Sequence, residues 1–115
     1  MRAKQILFTV PDKDGIPINL PRERWESHVL VGHPAMARHL EAIKATINDP
    51  DYILQSDKWA DTKLFYRLGV TEGKYSNLYA VVVIRYTASE GFVRTAYLAL
   101  KLIAGGEVVW MKPKL

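Results

Sequence analysis

Hydrophobic and polar positions follow two different rhythms along this chain, and the change falls at Pro50. Before it, Met36, Leu40, Ile43 and Ile47 recur at spacings of four, three and four, with Arg38, Glu41 and Lys44 between them. That is the stripe of an amphipathic helix, starting with Pro34 at its first position and stopping at Asn48-Asp49-Pro50. A shorter helix is predicted over PRERWESHVLV, with Pro21 at the first helical position, Glu23 in the opening turn, and Trp25 and Val29 stacked at i, i+4. Gly32 ends it. Ahead of both, residues 4–10 (KQILFTV) read as a short strand. PDKDG is a turn, and residues 16–20 can pair back.

After Pro50 the period drops to two. Residues 51–56, 63–70, 78–86 and 92–101 are strand-like and joined by the short polar connections DKWADT, TEGKYSN and TASEG. A last extended piece, EVVWMK, follows the turn Ala104-Gly105-Gly106. Helices followed by a meander predict an α+β fold: one domain over residues 1–115, with N-terminal helices packed on one face of a four-stranded antiparallel sheet.

The two faces of that sheet separate once a register is assumed. Pairing Val70 with Leu78 and Tyr86 with Phe92 gathers Leu64, Leu68, Ala80, Val82, Ile84, Ala96 and Leu98 on one face, interrupted by Tyr66 and Arg94. The other face then holds Phe65, Arg67, Val81, Val83, Arg85, Thr95 and Tyr97. Guanidinium groups of Arg67 and Arg85 are multidentate phosphate donors, and the hydroxyls of Thr95 and Tyr97 can hydrogen-bond a substrate. Such a face also suits splayed bases of single-stranded RNA. The assignment depends on register, since a slip of one residue turns a strand over.

Composition narrows the field modestly. At 115 residues the chain is long enough to build a core without staples. It has no cysteine, which excludes disulfides and thiolate metal ligands and suits a cytoplasmic location. No apolar run approaches the roughly 20 residues of a membrane span, and the opening residues lack a signal-peptide core, so no membrane partner is expected. A net charge of +4 is compatible with a polyanionic partner.

His28 and His33 are the candidate chemistry, as two of the chain's three histidines. In an unbroken helix, residues five apart point about 140° away from each other, but the break at Gly32 lets them approach. The spacing is not that of a helical zinc pair, and no cofactor or metal is predicted. Imidazole exchanges protons near neutral pH, which suits acid–base work. The alternative roles are structural: His28 bonded to backbone, His33 as a helix cap, and His39 as a surface residue beside Arg38.

Taken in order, Trp25-Glu26-Ser27-His28, Gly32-His33-Pro34, Asn48-Asp49-Pro50-Asp51 and Arg94-Thr95-Ala96-Tyr97 resemble the phage-associated branch of the barnase–EndoU–colicin–RelE (BECR) nucleases, from Thr9 to Trp110. The resemblance implies a BECR-like fold and a small metal-independent endoribonuclease, acting as a toxin or phage effector on RNA. It aligns His28 and His33 with the family's helical histidines, and Thr95 and Tyr97 with polar residues of its last core strand. The family often has an acidic residue after His-Pro, where this chain has Ala35. Arg67 and Arg85 would bind substrate phosphate. An acidic antitoxin or immunity protein is the further partner to expect. A non-catalytic RNA-binding or protein-interaction module using the same basic face is the competing reading.

Overall fold

The computed structural model describes residues 5–71, 73–102 and 106–114. Lys4 and the Ala104-Gly105 part of the C-terminal turn lie outside the described residues.

The fold begins with a β-hairpin: β1 (Ile6–Pro11) and β2 (Pro17–Pro21) pair antiparallel. Asp12 makes the turn between them. Its Oδ1 accepts the backbone N–H of Asp14 and of Ile16 at 2.8 and 2.9 Å, and Gly15 supplies a φ of 85°. Residues 22–32 (α1) then form one short helix, α-helical at Arg22–Arg24, π-helical over Trp25–Val29 and α-helical again at Leu30–Gly32. Pro21 stands just outside as its N-cap residue. Trp25 and Val29 are buried, as their spacing requires.

The second predicted helix is divided. His33 and His39 both leave helical geometry, so Pro34–Arg38 is a 3₁₀ turn and only Leu40–Asn48 (α2) is α-helical. The stripe nevertheless buries as read, with Met36, Ile43 and Ile47 essentially inaccessible. The remaining strands are β3 (Tyr52–Gln55), β4 (Thr62–Leu68), β5 (Tyr79–Tyr86), β6 (Gly91–Ala99) and β7 (Val108–Met111).

These strands form one seven-stranded sheet in the order β1-β2-β6-β5-β4-β3-β7. The expectation of a BECR-like fold, with N-terminal helices on one face of a four-stranded antiparallel sheet, is therefore corrected. The four predicted strands are its centre. The N-terminal hairpin extends it on one side by a short parallel pairing, Ile18 with Gly91 and Asn19 with Phe92. On the other side, β7 pairs with β3. Gly91 permits the parallel junction, because a Cβ there would stand 2.6 Å from Ile18 Cδ1. The helices are not a layer on one face either: α1 runs along β6, beyond the short β2 pairing, while α2 lies against β5, β1 and β4. The outer edges of the sheet approach each other, with Lys13 Nζ of the first turn 4.7 Å from the Trp110 ring of β7.

Register explains where the side chains go. Leu68 faces Tyr79 and Phe65 faces Val82, one residue away from the assumed pairing of β4 with β5. That slip turns β4 over. Phe65 joins Val82, Ala96, Ile43 and Ile47 in the main core, whereas Leu64 and Tyr66 join Val81 and Val83 in a second cluster. Between β5 and β6 the assumed register holds from Tyr79↔Ala99 to Val83↔Thr95, then shifts so that Ile84 faces Val93. Arg94 is the extra residue of that bulge.

Candidate active site

Beyond its two-residue pairing with β2, β6 presents an edge on which α1 lies. A groove of about 820 Å³ opens there, with Arg22, Arg24 and His28 of α1 on one wall and Arg85, Phe92 and Arg94 of the sheet on the other. Glu23 and Glu26 also border it, and Glu26 lies 4.0 Å from the Arg22 guanidinium. Three features of the sequence create the groove. Trp25 and Val29 anchor one side of α1, leaving His28 exposed on the other. The bulge re-aims Arg94, and the Arg85–Phe92 pairing places a guanidinium 5.5 Å from an aromatic ring.

The pKa of His28 is lowered from 6.5, first by desolvation and then by the positive charges of Arg24, His33 and Arg94. Its imidazole is therefore neutral at neutral pH and able to accept a proton. His33 follows the break at Gly32 and is not among the residues that line the groove. His33 rests on the ring of Tyr97, centroid to centroid 5.3 Å. The Tyr97 hydroxyl is pushed up to about 12 by burial and by its proximity and hydrogen bond to Tyr66. It remains protonated at neutral pH and supports His33 as a positioning residue. Thr95 pairs with Val83 two positions before Tyr97, partly exposed on the same face.

Arg67 is not part of this groove. The slip of β4 sends it to the helix side, where Nη1 reaches the carbonyls of Asp49 at 3.2 Å and Ala45 at 3.4 Å, and the Asp49 carboxylate at 3.4 Å. It caps the C-terminus of α2, where a cation opposes the helix dipole. His39 also departs from expectation. It is 8 % exposed, lies edge-on to Tyr75 at 5.4 Å, and has a buried Nε2 without a hydrogen-bond partner. Burial, then Arg38, lowers its pKa.

Arg22, Arg24 and Arg94 are the groove arginines that sequence reasoning missed. For Arg94 the signal was present: Arg94 and Tyr66 alone interrupted the supposed apolar face, which is what a slipped strand and a bulge produce. Among the described residues, no three His, Cys, Asp or Glu side chains gather as a metal site. No described helix is long and apolar enough to cross a membrane. Comparison with known proteins returns no match to a family model, a curated protein or a solved structure.

Proposed function

We propose that this chain is an endoribonuclease that cleaves RNA by attack of a 2′-hydroxyl on the adjacent phosphate. The observation that supports the reading is the groove in which His28 faces Arg85 and Arg94, with His33 stacked on Tyr97 of the same strand as Arg94. His28, kept neutral by its surroundings, takes the 2′-hydroxyl proton. The 2′-oxygen bonds to phosphorus, the bond from phosphorus to the 5′-oxygen breaks, and His33 delivers a proton to that leaving oxygen. The products are a 2′,3′-cyclic phosphate and a free 5′-hydroxyl. Arg85 and Arg94 bind the phosphate oxygens and stabilise the charge that develops on them. Thr95 contributes a hydroxyl from the same strand, and Tyr97 holds the His33 ring.

Membership of the phage-associated nuclease branch belongs to the same proposal and rests on the same histidine motifs. So do a cytoplasmic site of action and an acidic inhibitor complementary to the groove's arginines. The test is incubation of wild type, His28→Ala and His33→Ala with single-stranded RNA in chelator, with the product ends analysed. Wild type should yield 2′,3′-cyclic ends, and each variant should be slower by about 10²–10⁴-fold. Salt-sensitive binding without products would instead make the groove an RNA-binding module. Equal cleavage by all three proteins would remove the histidines from the mechanism.

A further inference from the structure

Trp59 lies in the connection between β3 and β4 and is 45 % exposed, although indole is among the side chains that gain most from burial. Its position is fixed rather than loose. Ser56 Oγ accepts the backbone N–H groups of Lys58 and Trp59, each at 3.1 Å. The Gln55 side-chain amide reaches the carbonyls of Trp59 and Ala60 at 3.2 Å and of Thr62 at 3.0 Å. The Arg94 guanidinium then lies 4.0 Å from the indole centroid. Arg94 is the bulge residue that also lines the groove beside His28, so the indole is joined to the phosphate-binding wall through one side chain. Lys58 adds a second cation, 5.9 Å from the same ring.

We propose that Trp59 is a stacking platform for an unpaired nucleobase next to the phosphate held by Arg94. This rests on the ribonuclease reading and narrows it: the substrate is single-stranded, because a base must leave its helix to lie on an indole. Three observations converge on this occupant. A rigid, half-open indole offers a π-face to any base, the neighbouring cations match a phosphate backbone, and the connection is held in place before binding. The Arg94 guanidinium occupies one face of the ring, so the base would take the exposed part of the indole beside it.

The probe is a single-stranded oligodeoxynucleotide, which lacks the attacking 2′-hydroxyl and stays intact, compared with its duplex at equal phosphate concentration. Single strand should quench the fluorescence of the wild type, and the duplex should do so far less. Trp59→Leu should abolish the quenching and weaken binding by about 5- to 150-fold, the range for loss of one stacked base. Trp59→Phe should recover most of the affinity, and both variants should unfold at the wild-type temperature. Unchanged affinity in Trp59→Leu, or equal binding of duplex, overturns the platform. Cleavage of single-stranded RNA is measured in parallel. Cleavage and binding that are both indifferent to Trp59 remove the platform alone, whereas Trp59-dependent binding without cleavage keeps the platform and removes the ribonuclease.

Discussion

The slip of β4 makes a prediction that separates two arginines the sequence treats alike. Arg67→Met keeps most of the apolar stem and deletes the guanidinium. What is lost is one hydrogen bond to Asp49 O at 3.2 Å, a longer contact to Ala45 O at 3.4 Å, and an ion pair to Asp49 at 3.4 Å. A hydrogen bond from a charged donor contributes about 1.5–3 kcal/mol, and a contact at the longer distance contributes less. The ion pair adds about 0–1 kcal/mol, because its side chains are 30 % and 46 % exposed and solvent screens them. Asp49 keeps Lys112 at 3.0 Å, so its carboxylate is not orphaned by the change. The sum is about 1.5–4 kcal/mol, or roughly 6–16 °C in Tm for a domain of this size. Cleavage by the folded variant should stay within about twofold, since no atom of the groove moves. Arg85→Met should do the reverse: a loss of about 10²-fold in kcat/KM with Tm within about 2 °C. Thermal unfolding and initial-rate cleavage, run on the same preparations below the lower Tm, read both quantities. A loss of cleavage in Arg67→Met equal to that in Arg85→Met, with Tm unmoved, refutes the observed register and restores Arg67 to the basic face.

Three further outcomes follow from the site and the core. The pKa of His39 is depressed in the folded state, so the unfolded chain binds more protons as pH falls below 6.5, and stability drops from that pH downward through the folded pKa. Urea unfolding between pH 7.5 and 5 should show this loss, and His39→Gln should reduce it while His28 retains its own share. In cleavage, the lowered pKa of His28 places the acid limb of the pH–rate profile below 6.5, and a limb centred above 6.5 would take the base role from it. Gly91→Ala puts a methyl 2.6 Å from Ile18 Cδ1 and 3.0 Å from Ile84 Cγ2, both on fully buried side chains. It should cost about 1–3 kcal/mol by denaturant titration, and a neutral result would show that the hairpin is not fixed at that junction.

What the sequence makes legible depends on the range of the interaction that decides it. The stripe of Met36, Ile43 and Ile47, the Asp12 turn and the break at Gly32 are local, governed by residues within a few positions, and each is readable. The pairing of β4 with β5 is set by which of two alternating sets packs better against α2. One set holds Leu64, Tyr66 and Leu68, the other only Phe65 between Lys63 and Arg67. Periodicity favours the first set for the main core, whereas Phe65 is what packs there, and Arg67 was misplaced for that reason. The number of strands was missed for a similar reason. Residues 6–21 form a hairpin that looks self-sufficient, and its attachment to β6 rests on a close approach at Gly91 that no pattern announces. His28 and His33 stand out in the sequence because a helix break lies between them. Arg94 was hidden by a bulge, which shifts a strand by one residue without leaving a mark in its alternation.

The curl that brings the hairpin turn over Trp110 has a kinetic consequence. Its ties join distant parts of the chain: Tyr86 donates to Asp12 across 74 positions, and Lys112 reaches Asp49 across 63. Each requires a long loop to close before any contact rewards it. Refolding should therefore take roughly milliseconds to seconds, in the range of β-rich chains, despite the modest length. Until the N-terminal hairpin arrives, the partly assembled chain leaves the part of α2 that packs on β1 uncovered. That interval is when this protein would be most prone to aggregate and most open to proteolysis.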